Sequence, residues 1–247
     1  LAQVLQQDVA DATAKQDIQR IIDTTEILSR ILNDILDFAK IEDGKLETES
    51  RPFTVSELIS STAALFNAEA KKNDIELKVQ LSGDTDQRLL GDPVRLRQIL
   101  TNLLSNSLKF THQGRITVNG HVATSAMNNF DVLITVEDTG IGIANDHLPR
   151  LFQRFEQADS STFRKYGGSG LGLAIVKGIV DAFNGAINVQ SELGHGTKFT
   201  LSFTFPKVTD SPEEEAASTS NAPLVKQLKI LLVDDVQTNR EIIRRGL

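Results

Sequence analysis

The chain contains no cysteine, which removes disulfides, thiolate zinc sites and cysteine nucleophiles from its chemistry. It has no run near the roughly 18 uninterrupted apolar residues of a membrane-spanning helix, and no signal peptide opens it. Positive charge is in the minority. Lysine and arginine number 26 against 33 aspartates and glutamates, a net charge of −7, which argues against a general surface for nucleic acid or anionic lipid. The two familiar phosphate loops are missing as well. The only Gly-Lys pair, Gly44–Lys45, is followed by Leu46, where a P-loop needs Ser or Thr. The glycines at 168, 170 and 172 read G-x-G-x-G after a polar segment, not the G-x-G-x-x-G after a strand that marks a dinucleotide fold. No internal repeat is evident. What remains is an ordinary globular mix, 40% hydrophobic and 24% charged over 247 residues, enough for one large domain or two ordinary ones.

The N-terminal part is helical in pattern. Ile18, Ile21, Leu28, Leu32, Ile35 and Ala39 recur at spacings of three and four, with Thr25 filling the gap. That is a seam for a second helix, with a single amphipathic core helix as the alternative. A short apolar stretch, Leu1 to Val9, precedes it across the small and polar residues Ala10 to Gln16. Residues 1–45 therefore read as most of a helical hairpin, ended by "EDGK" with its glycine at the stop position. Leu1 already lies in a helical pattern, and the final "EIIRRGL" reads as an unfinished helix, so the sequence is expected to be an internal piece of a longer protein.

From Arg51 the pattern becomes α+β. "SELISSTAALFNAEAKK" predicts a helix and "DIELKVQL" a strand. "GDPVRLRQILTNLLSNSLKF" predicts a long helix, with Asp92 placed to cap it and Pro93 at its first position. "GRITVNGHVAT" and "FDVLITVED" predict strands joined by a loop around Met127 to Asn129. The glycine-rich loop leads into a helix ending near Asn184–Gly185, and "AINVQSEL" and "GTKFTLSFTF" predict two closing strands. Residues 51–206 thus form one α/β domain. Residues 207–227, poor in large apolar side chains, read as a linker, and "LKILLVDD" restarts the pattern at 228–247.

Asn102, Asn106 and Lys109 fall at i, i+4 and i+7 on the long helix, one stripe. A carboxamide oxygen suits magnesium, and an ammonium neutralises phosphate charge; taken alone, the stripe is equally a solvated polar face. In "VEDTGIGI", Asp138 follows a strand, and Gly140 and Gly142 let the backbone approach something closely. The carboxylate can accept from an exocyclic amine such as that of adenine, or simply close an Asx turn. Backbone N–H groups at the start of the glycine-rich helix attract phosphate.

These boxes, with "LFQRFEQAD" and "GHGTKF", resemble in order and spacing the ATP-binding domain of sensor histidine kinases, over roughly residues 17–205. That domain belongs to the ATPase superfamily shared with type II topoisomerases, mismatch-repair ATPases and a heat-shock chaperone. The resemblance implies a two-layer α/β sandwich with ATP and magnesium as ligands. It assigns magnesium to Asn106, with Asn102 nearby, phosphates to Lys109, and one side of the base to Phe110. Asp138 would read the adenine amine with support from Thr197. Gly140, Gly142, Ile143, Gly168, Gly170, Leu171 and Gly172 would frame the pocket. Phe152 and Phe155 would anchor a lid from about Gln157 to Gly167, from which Arg164 and Lys165 reach the γ-phosphate. No glutamate lies near the second asparagine, which favours phosphoryl transfer over ATP hydrolysis. A hydrolysing relative, or a dimerising scaffold with a degenerate site, are the alternatives.

The resemblance also asks for a histidine acceptor on the first hairpin helix. His112, His121, His147 and His195 are in the wrong boxes, so no phosphoacceptor is assigned, and the fragment alone is not expected to autophosphorylate. "ILNDILDFAKIEDGKL" is similar to the end of the dimerisation hairpin, implying a homodimer. "LKILLVDDVQTNREIIRR" resembles the start of a flavodoxin-like receiver domain, where Asp234 and Asp235 would form part of a magnesium pocket. A hybrid kinase acting in the cytoplasm, anchored in a membrane elsewhere and relaying to a response regulator or its own receiver, is the implied whole.

Overall fold

The computed structural model describes residues 12–43, 46–125, 128–153 and 170–208. Helix α1 (Ala12–Glu42) runs unbroken for 31 residues. The turn expected over Ala10 to Gln16 is helical from Ala12 on, because Ala12, Ala14, Lys15 and Gln16 are strong helix formers with no glycine or proline among them. Along α1, Ile21, Leu28, Leu32 and Ile35 of the seam are all exposed. Leu32 closes one compact unit and Asn33 opens a second, so the last turns of α1 belong with the α/β domain.

In that second unit, β1 (Arg51–Phe53) and β3 (Leu89–Gly91) form a small antiparallel ribbon that the sequence did not announce. Thr54 caps α2 (Val55–Ala64) by accepting from the Glu57 N–H at 3.3 Å. The helix expected through Lys72 breaks at Leu65–Phe66 and restarts as α3 (Asn67–Lys72). The buried positions of α2 are Val55, Leu58, Ile59, Thr62 and Ala63, whereas α3 buries only Ala70. A continuous helix would have carried that second, polar turn onto the core stripe.

Next come β2 (Ile75–Gly83), α4 (Pro93–Phe110), β4 (Gly114–Thr124), β5 (Asn129–Asp138), a 3₁₀ turn (Leu148–Arg150), α5 (Gly172–Ala182), β6 (Ala186–Glu192) and β7 (Gly196–Pro206). Asp92 caps α4 as its sequence predicts, one carboxylate oxygen accepting from Val94 N at 3.0 Å and Arg95 N at 3.1 Å. The other oxygen accepts from Glu49 N at 3.0 Å, which ties the segment after α1 to the start of α4.

The sheet order is β2-β4-β5-β7-β6, with β2 parallel to β4 and the other pairs antiparallel. Alternate residues of the central strands, among them Ile116, Val118, Ile134, Val136, Phe199 and Leu201, meet Leu96, Ile99, Leu103, Ile175 and Ile179 of the helices in one core. The opposite face stays polar: Asn119 donates to Thr135 at 2.7 Å and Lys198 pairs with Glu137 at 3.4 Å. This is the expected two-layer α/β sandwich. The segment assigned to a linker from 207 is still bound at its start, since Lys207 N reaches Asn128 O and Val208 N reaches Arg88 O, each at 3.1 Å.

The end of α1 is seated between α4 and α5. Asp37 accepts from Arg95 at 3.0 Å through one oxygen and from Gln98 at 2.8 Å through the other. One turn on, Ile41 lies directly on Gly178, where an added Cβ would stand 2.5 Å from an Ile41 methyl. Only glycine leaves α5 open enough for that contact.

Candidate nucleotide site

Helix α4 presents Leu96, Ile99, Leu100, Leu103 and Leu104 to the core and leaves Asn102, Asn106 and Lys109 half-buried on the adjoining stripe. The stripe is therefore no simple solvated face. Its upper end abuts α5: a Cβ built on Gly172 would lie 3.6 Å from Asn102 Oδ1. At its lower end the Lys109 ammonium stands 4.9 Å from the Phe110 ring centroid, a cation–π contact. Partial burial holds the Lys109 pKa below the ordinary lysine value of 10.5, because desolvation disfavours the charged form. An incoming phosphate anion would relieve that cost.

Asp138 ends β5 and is 7% exposed. Its Oδ1 accepts from Gly140 N at 2.9 Å and Thr197 N at 3.3 Å, and its Oδ2 accepts from Ser107 Oγ at 3.1 Å. Burial raises its pKa, partly offset by the Gly140, Ser107 and Thr197 hydrogen bonds and reinforced by neighbouring Glu137. The Asx turn that the sequence offered is closed through Oδ1, and Oδ2 lies on the other side of the group against Ser107. Thr197 supports Asp138 through its backbone N–H; its hydroxyl is engaged with Ser191 at 2.9 Å.

Gly140 and Gly142 do permit a close approach, and the partner is the protein's own backbone. A Cβ at Gly140 would fall 2.5 Å from Phe110 O, and one at Gly142, where φ is +69°, would fall 2.0 Å from Glu192 O. Around them Ile141 N donates to Phe110 O at 3.1 Å, Gly194 N to Ile141 O at 2.7 Å, and Ile143 N to Ser191 Oγ at 2.8 Å. The segment after Asp138 is thereby stitched to the end of α4 and to the β6–β7 hairpin. Ser191, which makes one of these links, and Ser107, which bonds Asp138 itself, carried no signal in the sequence beyond their neighbours.

Gly170 adopts φ +69°, Leu171 is buried at the N-cap, and Gly172 opens α5 with no side-chain cap. A helix so begun receives an anion readily. Phe152 packs against the core. Phe155, Arg164, Lys165 and Gly168 lie outside the described residues, as do Asp234 and Asp235. Of the histidines, His121 bonds Ser82 at 2.9 Å on the outer sheet face, and His195 lies 3.6 Å from Glu192 in the β6–β7 turn. His147 neighbours Asp146, and His112 is exposed just past α4.

Thus α4, the end of β5, the start of α5 and β7 place an amide pair, an ammonium, a buried acceptor and a helix N-terminus around one region. A sequence profile described as histidine kinase-, DNA gyrase B-, and HSP90-like ATPase matches residues 91–208, the segment from β3 to just past β7. Residues 91–208 thus carry a domain of this ATPase family. The autoinducer 2 sensor kinase/phosphatase LuxQ of Vibrio vulnificus is 39% identical over 248 residues, covering 99% of this chain and 29% of its own length. The sensor histidine kinase GacS of Pseudomonas protegens is 41% identical over 191 residues, covering 77% of this chain and 21% of its own. The crystal structure of full-length ShkA in complex with AMPPNP superposes with a TM-score of 0.70 at 30% identity, over 85% of this chain and 42% of that one. These similar proteins are sensor kinases, and the chain spans less than a third of the length of the curated ones. Among the described residues, no helix is long and apolar enough to cross a membrane.

Proposed function

We propose that this chain binds Mg–ATP between α4, the end of β5 and the start of α5, and serves as the catalytic part of a histidine kinase. Asp138 carries the reading: a buried carboxylate with one oxygen saturated by backbone donors keeps the other as an acceptor for the adenine amine. Asn106, with Asn102 beside it, would hold magnesium, whose charge offsets that of the triphosphate. Lys109 would meet the phosphates and Phe110 the base. The half-buried carboxamides and the lysine near the start of α5 fit such a ligand, and the relatives' kinase names and the nucleotide analogue bound to ShkA point the same way. Arg164 and Lys165 would reach the γ-phosphate from a lid over about Gln157 to Gly167, with Gly168 at its hinge.

In the whole protein the γ-phosphoryl group would pass to a histidine on a hairpin whose second helix is α1, and onward to a receiver aspartate. The parts would be residues 1–45 of the hairpin, 51–206 of the ATPase domain, a linker at 207–227 and a receiver beginning at 228, with Asp234 and Asp235 in its acidic pocket. The exposed apolar stripe of α1 suits a homodimer. Positioning and charge neutralisation do most of the work of such a transfer. The test is binding of a fluorescent ATP analogue with and without magnesium, followed by phosphorylation of a histidine-bearing hairpin supplied in trans. Asn106→Ala should abolish the magnesium-dependent share of affinity and the transfer. Magnesium-independent binding, or steady phosphate release with no acceptor present, would contradict the assignment.

A further inference from the structure

We propose that Ser107 is a positioning residue for nucleobase selection: its hydroxyl locks Asp138 so that Oδ2 faces the base as a pure acceptor. The inference rests on the reading in which Asp138 meets the base, and deepens it. Ser107 is 2% exposed on the core side of α4, one position past the residue assigned to magnesium, so it is oriented away from the phosphate stripe. Its Oγ donates to Asp138 Oδ2 at 3.1 Å.

The division of labour on the carboxylate follows from counting donors. Oδ1 receives two backbone N–H groups, from Gly140 and Thr197, and these fix that oxygen but leave the carboxylate plane free to pivot about it. A terminal carboxyl torsion is broad and costs little to turn. Ser107 donates to Oδ2 from a helix rather than from the turn, and so stops the pivot. With one lone pair taken by Ser107, Oδ2 still has a lone pair in the plane for an amine N–H. A 6-aminopurine donates to that position, whereas a 6-oxopurine presents a second acceptor and is refused. Selection of this kind, in which a fixed polar group is matched or left unpaired, gives the larger discriminations available to a binding site. Ser107 acts through Asp138 and touches no ligand itself.

The experiment compares ATP, inosine triphosphate and inorganic triphosphate as competitors of a fluorescent ATP analogue, on the whole chain, in wild type, Ser107→Ala and Ser107→Cys. Loss of a hydrogen bond to a charged group predicts ATP affinity about tenfold weaker in Ser107→Ala. Inosine triphosphate and inorganic triphosphate should be unchanged, so the preference for ATP collapses by the same factor. Ser107→Cys fills the same space with a poor donor, and it should follow alanine. If cysteine instead follows wild type, or if all three ligands weaken together, the residue is packing and the proposal is overturned. Asp138→Asn separates the two levels. Should it leave ATP binding intact, the reading of Asp138 fails and takes the inference with it; should it weaken ATP while Ser107→Ala does not, only the inference falls.

Discussion

Replacing Asp138 by asparagine should make the domain more stable and nearly blind to adenine. The amide fits the native hydrogen bonds without leaving a donor unpaired. Its Oδ1 can take the Gly140 and Thr197 N–H groups, and its Nδ2 can donate to Ser107, whose hydroxyl turns to accept. What is lost is a charge held at 7% exposure, whose pKa burial has raised. A carboxyl with a raised folded pKa binds protons more tightly when folded. The wild type therefore gains stability as pH falls through that folded value, with the gain complete below the unfolded value near 3.8, and carries the ionisation cost at higher pH. Removing the charge should contribute about 1 kcal/mol at neutral pH, or about 2–4 °C in the unfolding midpoint, and the difference from wild type should shrink as the solution is acidified. On the binding side an N–H donor now confronts the amine of the base. Loss of a hydrogen bond to a charged acceptor, about 1.5–3 kcal/mol, predicts affinity weaker by about 10- to 150-fold. Thermal unfolding across pH, paired with fluorescent nucleotide binding, measures both. A midpoint several degrees lower than wild type, or unchanged ATP affinity, would refute the reasoning.

Lys109, with its lowered pKa, should regain its proton when phosphate arrives; calorimetry in buffers of different ionisation enthalpy should show proton uptake on ATP binding in the alkaline range below 10.5, absent in Lys109→Gln and near zero at neutral pH. Gly142→Ala combines positive φ with a Cβ 2.0 Å from Glu192 O, whereas Gly194→Ala has positive φ and open space around it. Urea unfolding should put the first about 2–4 kcal/mol below wild type and the second only about 1 kcal/mol; equal losses would mean the contact does not matter. Asp37 and Arg95 are 18% and 20% exposed, so a double-mutant cycle of Asp37→Asn with Arg95→Gln should return a coupling of about 1–2 kcal/mol, and a value near zero would make the pair incidental.

The elements that the sequence announces best are those whose local chemistry and burial agree. Asp92, Pro93 and the apolar stripe from Leu96 to Leu104 mark α4, and the alternation in 114–124 and 130–138 marks β4 and β5. The ribbon of β1 and β3 was illegible because three-residue strands have no period to read. The break at Leu65 was missed because the apolar and small residues of 56–66 and 67–72 both suit a helix, and only the core decides which face each must turn inward. In the site, Asn102, Asn106, Lys109 and Asp138 were legible as a motif. Ser107 was not, since a serine on a buried helix face signals nothing until Asp138 arrives from a strand 31 residues away. The close approaches of Gly140 and Gly142 were anticipated, but their partners, Phe110 O and Glu192 O, are settled by tertiary packing alone.

One helix carries two jobs at its two ends. Arg95 and Gln98, which grip Asp37, sit in the opening turns of α4, and Asn106 and Lys109 sit in its last turns. From Arg95 to Lys109 is about 21 Å of stiff rod at 1.5 Å per residue, so a tilt of about 5° imposed at one end moves the other by about 2 Å. That is enough to make or break a contact with phosphate, whose hydrogen bonds tolerate far less. The partners of Asp37 and the side chains that would hold the nucleotide thus share one continuous rod, with no loop between them to take up a difference in their alignment.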